Sequence, residues 1–144
     1  MVLIGLLYLA YLLYYPLFFG RKIGPSFCVN VGVSDTNDTI VAHYVILNDT
    51  VTFTFLRNRT YEINFEVAND GTMDLHDITI ELIEVPQGFV VNRLKLFFGD
   101  ESVGSGSGNS LRLTTPLVSG DYLIKLRISS VELERSYSIR IVVT

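Results

Sequence analysis

Nineteen residues, Met1 to Phe19, carry no charged side chain, and Arg21 and Lys22 are the first charges in the chain. Coiled as a helix, that stretch would be about 28 Å long. A bilayer's hydrocarbon core is of about the same thickness. Secretory precursors carry a basic segment ahead of such an apolar run, whereas here only Met1 stands at its start. Two histories fit: a leader has been removed, or the segment inserts without one.

At helical spacing, Ile4, Tyr8, Tyr11, Tyr15 and Phe18 fall on one stripe. Tyrosine normally sits at the two membrane interfaces, where its hydroxyl reaches water. Tyr8 and Tyr11 would lie near mid-span, and a hydroxyl facing hydrocarbon is costly without a partner. The stripe therefore reads as a helix-packing face that meets protein. The competing reading is that a tyrosine ring is apolar enough to be tolerated by lipid. Pro16 marks a kink or a last turn. Gly20, Gly24 and Pro25 then break the pattern, so residues 20–26 read as a short hinge after an apolar helix over 1–19.

Residues 27–144 form a segment long enough for one domain with its own core. The chain's net charge is −4, with no basic block interleaved with aromatics, which speaks against a nucleic-acid partner. Val, Ile, Thr, Tyr and Phe dominate short runs bounded by turn residues, the pattern of β-strands. Strands are expected near 27–33, 39–46, 50–56, 59–68, 76–84, 89–97, 110–115, 121–130 and 135–143. Apolar residues alternate along Tyr61–Val67, Ile78–Leu82, Tyr122–Ile128 and Tyr137–Ile141. Strands with one wet and one buried face build packed antiparallel sheets. The expectation is mainly β: a single N-terminal hydrophobic helix followed by an immunoglobulin-like antiparallel β-sandwich over 27–144. Tyr61, Ile63, Phe65, Val67, Ile78, Ile80, Leu82, Leu123, Leu126 and Ile139 should point inward. Leu123 and Leu126 differ in parity, so burying both requires a bulge or an edge position.

The stretch Tyr61 to Val91 ends one strand in an Asn-x-Gly turn, runs through Asp74-Leu75-His76-Asp77-Ile78-Thr79-Ile80-Glu81-Leu82 and turns at Pro86-Gln87-Gly88. Together with Thr115–Tyr122 and the closing Ile139–Val143, it resembles the immunoglobulin-like CARDB domains of prokaryotic, often archaeal, surface proteins. That resemblance implies a scaffold or adhesive module. An apolar segment leading straight into a β-sandwich is similar to archaeal type IV pilins and archaellum-related proteins. In that family a short basic leader is cleaved, and the helices leave the membrane to pack as a filament core. Gly5 stands where many bacterial pilins carry a glutamate, which argues against a bacterial-type pilin.

Three sequons, at Asn37, Asn48 and Asn58, cluster within residues 37–60 beside turns. They argue for a glycosylated, extracellular head. Arg21 and Lys22 argue the opposite through the positive-inside rule. A removed basic leader reconciles the two and is the expectation here.

Candidates for chemistry are few. Cys28 is the sole cysteine, so no internal disulfide forms, and its apolar neighbours suggest a buried thiol. His43 and His76 lack partners at metal-ligand spacing. Asp70, Asp74 and Asp77 near His76 lack the spacing of a Ca²⁺ loop. Glu62, Glu66, Glu81 and Glu84 belong on solvated faces, and no nucleophile motif appears. Gly99–Asn109 reads as a flexible loop. We expect no enzyme, no catalytic residues, no metal, no cofactor and no small-molecule substrate. The expected role is a structural subunit of an extracellular surface filament, its helix forming the core and its sandwich the outside. Its partners would be further copies of itself, and the membrane before assembly. The alternative is a single membrane-anchored surface module for adhesion or carbohydrate contact, or an accessory part of a surface machine.

Overall fold

Alternation decides which residues leave water, and the computed structural model, which describes residues 22–144, follows it closely. The apolar stretch 1–19, with Ile4, Tyr8, Tyr11, Tyr15 and Phe18, lies outside the described residues, as do Gly20 and Arg21. Ten strands follow: β1 (Cys28–Asp35), β2 (Ile40–Ile46), β3 (Thr50–Phe55), β4 (Thr60–Ala68), β5 (Leu75–Glu84), β6 (Val90–Val91), β7 (Lys95–Glu101), β8 (Gly106–Thr114), β9 (Gly120–Ser129) and β10 (Glu134–Val143). They form two five-stranded sheets, ordered β2-β1-β4-β8-β6 and β3-β10-β9-β5-β7.

The sheets enclose one apolar core. Tyr61, Ile63, Phe65 and Val67 of β4 meet Ile78, Ile80 and Leu82 of β5, Ile124, Leu126 and Ile128 of β9, and Ile139, Ile141 and Val143 of β10. Each such side chain contributes about 1.5–3 kcal/mol when fully buried. Outward positions carry the charges: Arg127 pairs with Glu81 at 3.0 Å and Lys125 with Glu84 at 3.2 Å. Near the start of β9, the Tyr122 hydroxyl donates to the Val118 carbonyl at 2.8 Å. A tyrosine bonding back to the preceding corner is a device of immunoglobulin-type sandwiches.

Four expectations need correction. Leu123 is not inward: it is 40% exposed, while Leu126 is 1% exposed. The strand between them is regular, so parity sends Leu123 to the wet face. The sheets are not wholly antiparallel, because β3 runs parallel to β10 from Thr50↔Ser138 to Phe55↔Val143. The run 89–97 is not one strand. It breaks at Asn92–Leu94, giving β6 to one sheet and β7 to the other. Most of Gly99–Asn109 is strand rather than loop, with only residues 102–105 between β7 and β8. Glycine suits that place sterically: a Cβ on Gly106 would stand 2.9 Å from the Val67 carbonyl oxygen across the β4–β8 pair.

The strands fix two ends. At the entry end lie residues 22–27, the β4–β5 loop and the β9–β10 turn. At the far end lie the β1–β2 and β3–β4 turns, the β8–β9 loop and Thr144, whose carbonyl accepts from Arg57 N–H at 3.2 Å.

Candidate functional site

The three sequon asparagines all stand exposed on turns. In the β1–β2 turn the Asp35 carboxylate accepts from the backbone N–H of Asn37 and of Thr39, each at 2.9 Å. That turn needs Asp38 at φ 61°, a left-handed conformation that Asp and Asn tolerate through local hydrogen bonding. Asn48 follows buried Leu47, whose N–H donates to the Val29 carbonyl at 2.7 Å, and Asp49 then turns at φ 54°. Asn58 itself adopts φ 51°, and its N–H donates to the Pro116 carbonyl at 3.0 Å. Among the described residues none of the three side-chain amides has an intramolecular partner.

Asn37 and Asn58 border an open cleft of about 530 Å³ at the far end. Its floor is built from Phe55 and Tyr61, stacked with centroids 4.1 Å apart. The Tyr61 hydroxyl is committed to the scaffold, accepting from Leu56 N–H at 3.0 Å. Thr115, 2% exposed, staples the same corner: its hydroxyl donates to the Leu56 carbonyl at 2.6 Å and accepts from Arg59 N–H at 3.0 Å. Arg59, Thr36 and Thr60 supply hydrogen-bonding groups at the rim, and Asp35 is the one acidic side chain lining it. This arrangement can hold polar, hydroxyl-rich groups. Asp35 Oδ1 already serves two backbone donors, so its role is to shape the turn.

At the entry end, residues 22–26, within the stretch read as a hinge, are tied to the β4–β5 loop. Lys22 N–H donates to the Asp70 carbonyl at 2.8 Å, Gly24 N–H to the Thr72 hydroxyl at 2.8 Å, and Thr72 N–H returns to the Gly24 carbonyl at 3.0 Å. Gly71 makes this approach possible, since a Cβ there would stand 2.4 Å from the Gly24 oxygen and 2.7 Å from the Ser26 nitrogen. Asn69 braces the loop from behind, its side-chain NH₂ donating to the carbonyls of Met73 at 2.8 Å and Glu101 at 3.0 Å. The turn signal Asn69-Asp70-Gly71 was visible in the sequence; its docking partner was not.

Cys28 is half-buried beside this clamp. Burial pushes its thiol up, the Asp70 charge adds to the rise, and Lys22 partly offsets it. It therefore stays protonated near neutral pH, a poor nucleophile. His76 meets a partner the sequence did not reveal. Its Nδ1 lies 2.9 Å from Glu132 Oε2, and its backbone N–H donates to Glu132 Oε1 at 2.7 Å. Hydrogen bonding to Glu132, then the carboxylate's charge, raises the imidazole pKa, and the same hydrogen bond lowers that of Glu132. Two acids near His76 serve backbone donors: Asp74 accepts from Val103 N–H at 3.1 Å and Asp100 from Asp77 N–H at 3.0 Å. Among the described residues no group of three or more His, Cys, Asp or Glu could hold a metal ion, and no helix is long and apolar enough to cross a membrane.

No family model matches the chain, and no curated protein matches it in sequence. Solved structures do resemble it. One is a family 123 glycoside hydrolase from Clostridium perfringens, with TM-score 0.49 and 10% identity over 80% of this chain and 27% of that one. A second is the CARDB domain of a Pyrococcus furiosus protein, TM-score 0.45 and 14% identity over 82% of this chain and 95% of that one. A third is a secreted serine protease of Vibrio cholerae, TM-score 0.49 and 13% identity over 67% of this chain and 22% of that one. The chain thus spans roughly a quarter of each enzyme. At these TM-scores and identities the likenesses carry no argument about what this chain does.

Proposed function

We propose that the chain is a non-enzymatic structural subunit of an extracellular surface filament, similar to a type IV pilin. Residues 1–19 pack as the helical core and the sandwich forms the outer surface. Copies of the chain are its partners, with the membrane holding the apolar segment before assembly. The observation that carries this reading is the clamp at Lys22–Thr72. Three residues past the uncharged stretch, the chain is already hydrogen-bonded into the head. A filament subunit benefits from a head held at a fixed angle to its core segment, whereas a lone anchor tolerates slack. The exposed amides of Asn37, Asn48 and Asn58 support an extracytoplasmic head.

The test is imaging of cells that express the wild type, the Tyr8→Phe variant and the Tyr11→Ala variant, with an assay of membrane-bound monomer. Filaments from the wild type that are lost on Tyr11→Ala are expected, since a truncated aromatic in a packed core costs about 3–5 kcal/mol per copy. Tyr8→Phe should cost about 0.5–1.5 kcal/mol per copy through a lost hydrogen bond. Normal filaments from Tyr11→Ala would remove the stripe from the core. The far-end cleft favours a second reading, a membrane-anchored module that contacts carbohydrate. Wild-type protein found only as membrane-bound monomer would select it.

A further inference from the structure

An exposed sheet edge invites another strand, and folded proteins commonly blunt it with short strands, bulges or charges. Of the four edge strands among the described residues, three are blunted. Strand β6 has two residues. Strand β2 carries two register shifts against β1. Strand β7 also has two, and its Phe97 and Phe98 carbonyls accept from Asn109 Nδ2 at 3.0 Å and Ser107 Oγ at 3.4 Å. Strand β3 has none of these. Its sequence, Thr50-Val51-Thr52-Phe53-Thr54-Phe55, holds no charge, Gly or Pro and pairs with β10 without a shift.

Hydrogen-bond parity shows what β3 offers. The carbonyls of Asp49 and Phe55 accept from Ser138 N–H at 2.8 Å and Thr144 N–H at 2.9 Å. Along a strand, alternate residues bond one neighbour, so the odd residues face β10. Thr50, Thr52 and Thr54 therefore direct their N–H and C=O groups away from the sheet. Their side chains are exposed, while Phe53 and Phe55 are buried.

We propose that this edge pairs with the β3 edge of a second copy of the chain, antiparallel about a two-fold axis at Thr52. Thr52 then pairs with Thr52, and Thr50 with Thr54, through backbone hydrogen bonds. Charge selects this orientation. Asp49 precedes the strand and Arg57 follows it, so antiparallel pairing sets Asp49 of one copy diagonally near Arg57 of the other, within reach of long side chains. Parallel pairing would set Asp49 beside Asp49. Arg140, opposite Thr52 on β10, is neutralised by Asp121 through hydrogen bonds of 2.8 and 2.9 Å, so no bare charge flanks the axis. Beside β3, Val41 shares a cleft with Thr54 and Phe55, and polar Thr36, Asn58 and Arg59 also line it. Val45 of β2, 40% exposed, stands opposite core-facing Val31 and so on the same inner side as Val41, whereas Ile40 and Ile46, opposite Ser34 and Asn30, lie on the outer face of their sheet. The pairing does not rest on the filament reading and holds equally for an anchored head.

The experiment uses the full chain in membranes or detergent, with Cys28→Ala as background. Cysteine is introduced by Thr52→Cys at the axis and, as a control, by Lys125→Cys on the outer face of β9. Opposed residues in such a pair have Cα atoms about 5.5 Å apart, within disulfide reach. Mild oxidation should give about tenfold more linked dimer from the Thr52 site than from the Lys125 site. In chemical cross-linking of the otherwise wild-type chain, Thr52→Lys, which sets two ammonium groups together, should lower dimer yield about tenfold with an unchanged circular dichroism spectrum. If Thr52→Lys fails to fold, the cysteine pair decides alone. Equal linkage at both sites, a dimer indifferent to a folded Thr52→Lys, or a monomer bearing an occupied glycan at Asn48 would each overturn the proposal.

Discussion

Gly71→Ala tests whether the clamp at the entry end holds the chain to the head. The new Cβ would lie 2.4 Å from the Gly24 carbonyl oxygen and 2.7 Å from the Ser26 nitrogen. Both are backbone atoms, so no side chain can rotate aside. Ordinary van der Waals contact begins at 3.4 Å, so the segments must part by about 1 Å, which takes the Thr72–Gly24 hydrogen bond beyond bonding distance. Three hydrogen bonds hang on that approach, each contributing about 0.5–1.5 kcal/mol net. Water recovers part of this at a surface site, so the expected loss is about 1.5–3 kcal/mol, in the range of ordinary overpacking. Urea unfolding of the full chain in detergent measures it, and hydrogen exchange of the Gly24 and Thr72 amides shows where it acts. Faster exchange at those two amides should accompany the loss. Stability within 0.5 kcal/mol of wild type, with both amides still protected, would refute the clamp argument. As a control, Thr72→Val removes one acceptor and should cost about 1 kcal/mol.

Leu126→Ala should destabilise the head by about 2–5 kcal/mol, while Leu123→Ala on the wet face stays within about 1 kcal/mol; comparable losses would contradict the assigned parity. The His76–Glu132 pair should stabilise most between about pH 4.3 and 6.5. The raised imidazole pKa contributes fully below its unfolded value and is lost as pH rises through the folded one. The lowered Glu132 pKa contributes above its unfolded value and is lost as pH falls through the folded one. Replacing Glu132 by Gln should move the His76 midpoint down in an NMR titration, and an unmoved midpoint would contradict the pairing. Intact mass of natively produced protein should show glycan on at least one of Asn37, Asn48 and Asn58; an unmodified mass would withdraw the sequons' support for an extracytoplasmic head.

The strands that alternate strictly were legible because their faces differ in chemistry: Tyr61–Val67 and Tyr137–Ile141 announce their inward side. Leu123 misled because it is apolar on a face that parity had already assigned to water. The first residues of strand β8, ahead of the stretch 110–115 that was legible, were hidden for a different reason. Gly106, Ser107 and Gly108 have low strand propensity, and their pairing with β4 imposes the conformation from outside the segment. The direction of β3 was beyond local pattern, since period-two alternation is the same in parallel and antiparallel pairs. At the candidate site, the sequons and the Asn69–Gly71 turn could be read directly. The contacts Lys22–Asp70 and Gly24–Thr72 of the clamp each join residues 48 positions apart, and His76–Glu132 joins residues 56 apart, and nothing in either partner's neighbourhood points to the other.

The β3–β10 pair has a mechanical consequence. Tension between Lys22 at the entry end and Thr144 at the far end would run along the strand axes, with inter-strand hydrogen bonds lying across the line of force. Drawing β10 out lengthwise means shearing its six pairs with β3 and its ten with β9 at once. A ladder peeled from one end breaks a bond at a time; one loaded along its length shares the force over every rung. A head strung between two such points would carry load stiffly and fail abruptly.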